Sequence, residues 1–207
     1  RRYTRALIIS DMHNNPVALK FGLSLARSYR VDLVLAPGDI TDFGSPLEAE
    51  ALDSWRGFDA PVVAVTGNHD SPQVAATLEE IPGITVLDKG EVVKRAGLRI
   101  MGFGDPSAAR GGLGAARATP EELRELSTAI KTHLADSDPP DIFMVHNFRV
   151  AADAAGHAPF IVTGHSHSAG IRRLRGSVIV NPGTTGAAGV RYLSEPKQPA
   201  YTAAVLH

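Results

Sequence analysis

Short apolar runs alternate with stretches of helical spacing through the first third of the chain. Three of these runs are rich in branched apolar side chains and are expected strands: residues 5–10, 32–36 and 61–65. Asn15-Pro16 and Ser45-Pro46 each join a favoured helix cap to a proline at the first helical position, which predicts helices at residues 17–29 and 45–55. This alternation predicts a parallel sheet, with ligand-binding groups at the carboxyl ends of its strands.

The rest of the chain continues mainly as short strands. Helical spacing returns from Pro72 to Glu80, and again at residues 120–134. Further strands are expected at residues 85–87, 91–95, 98–103, 141–145, 160–163, 170–174, 177–180 and 201–206. Only glycine-containing turns separate the strands between residues 85 and 103, which predicts a shift towards antiparallel pairing. Residues 104–118 lack periodicity, so we expect a mobile loop able to overhang a site.

The composition is typical of one soluble domain. Of the 207 residues, 43% are hydrophobic and 21% are charged, which suits a single domain spanning residues 1–207. The formal charge of -1 provides no positive field for nucleic acid or an anionic membrane, so neither is an expected partner. No apolar run approaches the roughly 18 to 20 residues of a membrane helix. Arg1-Arg2 opens the chain without an initiator Met, which is typical of a trimmed product or an excised domain.

Polar side chains suited to holding metal follow the first three predicted strands. Asp11-Met12-His13 ends the first strand, where alternation along an extended backbone would send both polar side chains to one side. Gly38-Asp39-Ile40-Thr41-Asp42 follows the second strand and Gly67-Asn68-His69-Asp70 the third. Glycine beside Asp or Asn is also ordinary turn chemistry, and a lone Asp-x-His is more often incidental. Three successive strand ends of this kind favour a metal site.

Histidines follow two later strands. His146 comes directly after the strand at residues 141–145, and Gly164-His165-Ser166-His167 follows the strand at residues 160–163. The remaining histidines are expected to have ordinary surface or core roles: His133, His157 and His207. The chain has no cysteine, so nitrogen and oxygen ligands must hold any metal.

Together these blocks resemble the five-block signature of calcineurin-like metallophosphoesterases. They stand in the family's order: Asp11-x-His13, Gly38-Asp39-x-x-Asp42, Gly67-Asn68-His69-Asp70, His146 and Gly164-His165-x-His167. Asn181-Pro182-Gly183-Thr184 resembles the Asn-Pro-Gly-Ser turn of small bacterial phosphodiesterases in that family. The resemblance implies an α/β fold, a four-layer αββα sandwich of two mixed β-sheets flanked by helices.

The resemblance also implies a centre of two divalent metal ions. The implied ligands are Asp11, His13, Asp39 and His167 for one ion, and Asp39, Asn68, His146 and His165 for the other. Two ions that share a carboxylate gather about 7 to 8 protein ligands and leave room for a bridging hydroxide that attacks phosphorus in line. Imidazole, carboxylate and amide ligands accept Mn, Fe, Zn, Co or Ni, and the family favours manganese or iron.

The resemblance assigns the acid step to His69, which would protonate the leaving oxygen while Asp42 orients it and keeps it protonated. Asp70 precedes a Ser-Pro pair and is interpreted as the cap of the following helix, outside the site. One cluster on a predicted strand beyond the ligand turn is expected to be a solvated face without a substrate role: Arg172, Arg173 and Arg175.

The predicted function is hydrolysis of a phosphate ester, with a small-molecule or nucleotide diester favoured over a monoester. Protein phosphatases of the superfamily continue the second block with Arg-Gly, whereas this chain has Phe43-Gly44, which argues against that activity. A nuclease is a rival, but the charge balance offers no basic track for a nucleic-acid backbone. A scaffold such as the retromer subunit of the superfamily would have lost ligands, whereas every position is filled here. We expect a cytoplasmic location unless the chain belongs to a larger membrane-attached protein.

Overall fold

The strands and helices follow the alternation of the sequence closely. The computed structural model describes residues 3–108, 116–189 and 199–207. Its strands are β1 (Ala6–Ile8), β2 (Leu33–Pro37), β3 (Val62–Val65), β4 (Ile84–Val86), β5 (Lys89–Arg95), β6 (Leu98–Phe103), β7 (Ile142–Val145), β8 (Phe160–Val162), β9 (Gly170–Leu174), β10 (Ser177–Asn181) and β11 (Ala204–Leu206). Its helices are α1 (Pro16–Tyr29), α2 (Pro46–Ala51), α3 (Pro72–Glu79) and α4 (Pro120–Asp136).

Each helix begins where a capping side chain precedes a proline. The capping residues, in the order of the helices, are Asn15, Ser45, Ser71 and Thr119. The cap satisfies one of the free N–H groups of the first turn, and the proline has no N–H to leave unsatisfied. No helix in the described part of the chain is long and apolar enough to cross a membrane.

The first sheet has five strands in the order β11-β1-β2-β3-β4. β1, β2 and β3 are parallel, as the strand and helix alternation predicted; β4 adds a fourth parallel strand, and β11 pairs antiparallel with β1. Parallel strands need long crossover connections, which α1, α2 and α3 provide. The arrangement brings the carboxyl ends of β1, β2 and β3 to one edge of the sheet.

The second sheet has six strands in the order β5-β6-β7-β8-β10-β9. β6, β7, β8 and β10 are parallel, and β5 and β9 close the two edges as antiparallel strands. Antiparallel pairing was expected from residue 85 onwards, which is right for β5 and β6 but wrong for β4. β4 pairs parallel with β3 because α3 carries the chain back before β4 begins.

Three apolar clusters show that the molecule has four layers. One packs the inner faces of the sheets together, with Ile8, Leu35 and Val63 from the first and Ile100 and Met144 from the second. A second cluster joins the outer face of the first sheet to the helices that connect its strands. A third joins the outer face of the second sheet to α4 and a 3₁₀ turn at residues 151–154 that was not predicted. The predicted αββα sandwich is therefore confirmed.

Two predictions fall on parts of the chain that the structure does not cover. The expected loop at residues 104–118 includes residues 109–115, which lie outside the described residues. Arg1 and Arg2 lie outside them as well.

Candidate metal centre

Backbone hydrogen bonds join the loops that leave the carboxyl ends of β1, β2 and β3. The N–H of Asp11 donates to the carbonyl of Gly38 at 3.1 Å, and the N–H of His13 donates to the carbonyl of Asp39 at 3.0 Å. The N–H of His69 donates to the Asp39 carboxylate at 3.0 Å. Three segments that are distant in sequence are therefore fixed around one carboxylate.

Five of the seven predicted ligands lie on left-handed backbone rather than on extended strand; Asn68 and His146 do not. The φ angles are 53° at Asp11, 47° at His13, 53° at Asp39, 69° at His165 and 54° at His167. The prediction that extended alternation aligns Asp11 with His13 is therefore wrong in its mechanism, because β1 has already ended and two left-handed residues turn both side chains inward. Such residues cost about 1–3 kcal/mol each and cluster at functional sites.

A first group of donors contains Asp11, His13, Asp39 and His167. The His167 Nε2 atom lies 3.1 Å from Asp11 Oδ1 and 3.1 Å from His13 Nε2. The His13 Nε2 atom also lies 3.9 Å from Asp39 Oδ2. One ligand atom from each side chain lies within 4.8 Å of the others, so all four can face a single ion.

A second group contains Asp39, Asn68, His146 and His165. The Asn68 Oδ1 atom lies 2.8 Å from His165 Nδ1 and 3.2 Å from His146 Nε2, and Asp39 Oδ1 lies 3.3 Å from His146 Nε2. The carbonyl of Pro37 accepts a hydrogen bond from His146 Nδ1 at 2.7 Å. That bond fixes the ring and leaves Nε2 as the nitrogen directed at the centre.

The two groups meet at Asp39, whose carboxylate oxygens face in different directions. Oδ2 faces His13 and Oδ1 faces His146. A side chain at Gly67 would overlap the Asp39 carboxylate, and a Cβ at Gly38 would come within 2.6 Å of His146 Nδ1. Glycine is required at both positions because the ligands approach the backbone closely.

The expected pair of His69 and Asp42 meets through the backbone. The carbonyl oxygen of Asp42 lies 2.8 Å from His69 Nδ1, whereas the nearest oxygen of its carboxylate lies 3.8 Å away. That carboxylate is closer to His13 Nδ1, at 3.3 Å. The predicted orientation of His69 by the Asp42 side chain is therefore corrected: the backbone oxygen contacts His69, because the loop turns the carboxylate towards His13.

Comparison with known proteins identifies the family. Residues 5–207 match the profile of the calcineurin-like phosphoesterase superfamily domain. The chain belongs to this superfamily. A protein named probable cyclic nucleotide phosphodiesterase, from Synechococcus sp., is 37% identical over 71 residues, a stretch that covers 34% of this chain and 27% of that protein.

Solved structures show the same calcineurin-like fold. The Thermus thermophilus protein TT1561 aligns with a TM-score of 0.70 and 17% identity, covering 90% of this chain and 92% of its own. A novel archaeal phosphodiesterase aligns with a TM-score of 0.56 and 17% identity, covering 98% of this chain and 100% of its own.

The charges of the site suit the divalent metal ions that the superfamily implies. Burial would raise the pKa of Asp39, but His146, His13 and His69 hold it below its usual range. Burial would lower the pKa of His146, but the Asp39 carboxylate raises it to about 10. Burial and the neighbouring His146 lower the pKa of His165. The buried carboxylates thus draw positive charge to the centre, which suits divalent cations held by nitrogen and oxygen donors.

Asp70 supports the centre instead of capping a helix. Its carboxylate accepts the N–H groups of Gly67, Ile40 and Thr41 at 2.8–3.0 Å, and the Thr41 hydroxyl at 2.8 Å. Ser71 caps α3 by accepting the N–H of Val74. The expectation of an Asp70 cap is wrong because Asp70 instead joins the loops that carry Asp39 and Asn68.

Further side chains support the predicted ligands; of these, the sequence singled out only Asn181, as part of a family turn, and not Ser10 or Asp105. Ser10 Oγ donates to Asp11 Oδ2 at 2.6 Å, and Asn181 Nδ2 donates to the carbonyl of Gly164 at 2.7 Å, which holds the turn with His165 and His167. Asp105 follows β6, is buried, and accepts Asn147 Nδ2 at 3.2 Å. Gly104-Asp105 repeats the Gly-Asp pair that follows β2, so the sequence did contain a signal for Asp105 as a site residue.

The three histidines expected to lie outside the site do so in the described parts of the chain, and the arginine cluster is exposed. His133 packs edge-on against Phe103 and bonds the carbonyl of Ala129. His157 and His207 are exposed, and neither belongs to a group of converging donors among the described residues. Three arginines project from the exposed end of the second sheet: Arg172, Arg173 and Arg175.

Proposed function

We propose that this protein is a dinuclear-metal-dependent phosphodiesterase that hydrolyses a small-molecule or nucleotide phosphate diester. The observation that carries the proposal is the shared Asp39 carboxylate, which joins two converging groups of nitrogen and oxygen donors. His69 lies beside this carboxylate, with its Nε2 atom 3.9 Å from Asp39 Oδ2. The site thus combines cation ligands with a histidine placed for proton transfer.

Each half of the proposed centre would hold one divalent ion. Asp11, His13 and His167 would complete one half, and Asn68, His146 and His165 would complete the other, with Asp39 common to both. Bound there, the ions would supply Lewis acidity towards phosphoryl oxygens and a water nucleophile at neutral pH. Manganese or iron is the proposed occupant, since imidazole and carboxylate donors accept both.

His69 is the proposed general acid, and its hydrogen bond decides which ring nitrogen transfers the proton. The Asp42 carbonyl accepts from His69 Nδ1 at 2.8 Å. A carbonyl can only accept, so Nδ1 keeps its proton and Nε2 is the nitrogen that gives its proton to the leaving oxygen. The His69 side chain is 10% exposed, which leaves it open to a bound substrate.

The diester preference draws on the relatives. A relative named as a probable cyclic nucleotide phosphodiesterase and a fold neighbour described as an archaeal phosphodiesterase both support a diester substrate. A phosphomonoesterase is the second candidate, because the same donors suit both reactions. A non-catalytic scaffold is disfavoured, because burying Asp11, His13 and His146 costs desolvation free energy and a scaffold would have no bound metal to offset it.

Hydrolysis of bis(p-nitrophenyl) phosphate by protein loaded with defined metals tests the proposal. We expect turnover with Mn²⁺ or Fe²⁺, loss of turnover on chelation, and faster cleavage of the diester than of p-nitrophenyl phosphate. The variant Asp39→Asn should lose at least 100-fold in rate, on the order of a disrupted dinuclear site. Metal-loaded protein that cleaves neither ester would overturn the proposal, and faster monoester cleavage would favour the second candidate.

A further inference from the structure

An exposed phenyl ring stands beside the proposed metal centre. Phe148 follows His146 by two residues, and its ring centroid lies 6.0 Å from that of His165 with the planes inclined by 35°. Its residue surface is 44% exposed, which is high for a large apolar side chain in a turn that is otherwise well anchored. The ring contributes little to the core and remains available to a ligand.

The backbone around Phe148 is held firmly. Asn147 is buried, and both ends of its side-chain amide are bonded. Its Nδ2 donates to Asp105 at 3.2 Å, and its Oδ1 accepts the N–H of Arg149 at 3.2 Å. The carbonyl of Asn147 accepts the N–H of Val150, which is buried. The backbone that carries Phe148 is therefore fixed, so binding a ring against its side chain would order little additional backbone.

Phe148 forms one wall of a groove of about 260 Å³ that runs towards the sheet edge. Ala151, Ile179 and Ile171 line it with apolar surface, and Ile171 is 74% exposed on the edge strand β9. Ser166 also lines the groove and stands between His165 and His167 in sequence. The groove therefore begins at the ligand turn of the proposed centre.

The size and lining of the groove define the group that fits it. Small-molecule pockets usually measure roughly 300–1,000 Å³, so this groove holds part of a substrate and not all of it. A lining that combines an aromatic ring with aliphatic side chains favours a flat ring, which gains from stacking as well as from burial. Asn181 also lines the groove, but its side chain is engaged by the Gly164 carbonyl and the Gly183 N–H. The Ser166 hydroxyl and the Arg172 guanidinium, which also line the groove, are the groups that offer hydrogen bonds to ring heteroatoms.

We propose that this groove, which we term the Phe148 groove, binds a flat aromatic substituent of the phosphate ester while the phosphoryl group lies at the metal centre. The substituent is an aryl ring or a nucleobase, and Phe148 is the platform on which it stacks. The inference rests on the proposed function, since it assigns the substrate class of the same site.

Binding of two non-hydrolysable phosphonates to metal-loaded protein tests the proposal. Phenylphosphonate and methylphosphonate present the same charged head group to the centre, but only the first carries a ring. We expect the wild type to bind phenylphosphonate about tenfold more tightly, on the scale of one stacked ring. Phe148→Ala should abolish this preference and leave methylphosphonate affinity unchanged, whereas Phe148→Tyr should retain it. Adenosine 5′-phosphate compared with ribose 5-phosphate extends the test to a nucleobase.

Matched phenylalanines provide the controls. Phe160 is 37% exposed at the amino end of β8, the opposite end of the strand that leads to His165, so Phe160→Ala should keep the preference. Phe43 is 43% exposed and follows Asp42; loss of the preference in Phe43→Ala instead of Phe148→Ala would overturn the proposal.

Further outcomes separate the groove from the centre. If Phe148→Ala lowers the affinity for both phosphonates equally and reduces metal content, Phe148 supports His165. That result would overturn the proposal that Phe148 stacks on a substrate ring. A wild type that cleaves bis(p-nitrophenyl) phosphate but binds both phosphonates equally would overturn this inference alone. A wild type that binds no metal would overturn both this inference and the proposed function.

Discussion

The hydrogen bond between His69 and the Asp42 carbonyl places the proposed acid proton on a particular atom. Because Nδ1 is bonded to an oxygen that cannot donate, only Nε2 can release a proton towards substrate. The Asp42 carboxylate lies closer to another ring, at 3.3 Å from His13 Nδ1 compared with 3.8 Å from His69 Nδ1. In the proposed mechanism, two different groups of Asp42 therefore have separate roles: its carbonyl orients the His69 ring, and its carboxylate orients the His13 ring.

Replacing His69 should separate esters by their leaving groups. We expect His69→Ala to slow cleavage of a diester with a poor alkyl leaving group by about 10²–10⁴-fold, because its oxygen needs a proton. Cleavage of bis(p-nitrophenyl) phosphate should fall much less, since nitrophenolate leaves unaided. The measurement is kcat for both esters, with metal content confirmed as unchanged. An equal loss for both would contradict the role of His69.

Replacing Asp42 should change metal affinity and leave the dependence on the leaving group unchanged. Asp42→Asn removes the charge facing His13 but keeps the carbonyl that bonds His69, so we expect metal affinity to fall about 10- to 100-fold. The ratio of rates for good and poor leaving groups should stay that of the wild type when metal is saturating. A variant that behaves like His69→Ala would show that the carboxylate acts on His69 after all.

The residue scale also shows what sequence could predict. The candidate side chains could be found because polar residues stand at strand ends, and the family resemblance supplied their proposed role as ligands, as for Asp39, Asn68 and His146. The left-handed angles at Asp11 and His13 depend on hydrogen bonds to a loop some 25 residues later. Sequence spacing carries no such information, so the way the side chains align was predicted wrongly.

At the scale of elements, the loops after β2 and β3 are joined chiefly by the Asp70 carboxylate. It accepts N–H groups from both loops, and burial together with the charge of Asp39 raises its pKa. The strands could be predicted because their apolar runs are local signals. The order of the strands within the sheets could not be predicted, because the pairing of β11 with β1 joins segments almost a full chain apart.

Asp70→Asn should destabilise the protein more than the loss of a true helix cap. An amide cannot accept all of these N–H groups, so we expect the free energy of unfolding to fall by about 2–3 kcal/mol. Ser71→Ala, which removes the cap of α3, should cost about 1 kcal/mol. Urea unfolding of both variants provides the measurement. A larger loss in Ser71→Ala would contradict the role assigned to Asp70.

Asp88, between β4 and β5, should give the protein a specific pH dependence. Burial raises the pKa of Asp88 from 3.8 to about 6, against the opposing hydrogen bonds from Thr66. The folded state therefore binds the proton of the Asp88 carboxyl group more tightly than the unfolded state does. Stability from this group is therefore present at low pH and is lost as the pH rises from about 4 through about 6.

The variant Asp88→Asn isolates this contribution, because the amide oxygen still accepts the N–H of Thr66. Between about pH 4 and pH 7 we expect the wild type to lose about 1–2 kcal/mol relative to the variant, a value reduced for partial exposure. Urea unfolding at several pH values measures the difference. Parallel pH profiles would contradict the raised pKa.

At the scale of the whole molecule, the proposed centre lies across the join between the two sheets. Asp11, Asp39 and Asn68 follow strands of the first sheet, while His146 and His165 follow strands of the second. The inner faces of the sheets share one apolar cluster, which holds the strand ends together. Metal bound at this join would link the sheets, so occupancy should stabilise the fold as well as create activity.

Titration of metal-free protein with Mn²⁺ tests the central proposal most directly. Bound metal per chain, thermal unfolding and hydrolysis of bis(p-nitrophenyl) phosphate are followed in the same samples. The dinuclear account predicts that activity saturates as the second equivalent binds, and that the unfolding midpoint rises by several degrees, on the order expected for a few kcal/mol of linked binding. Activity that saturates at one equivalent, or proceeds without bound metal, would contradict it.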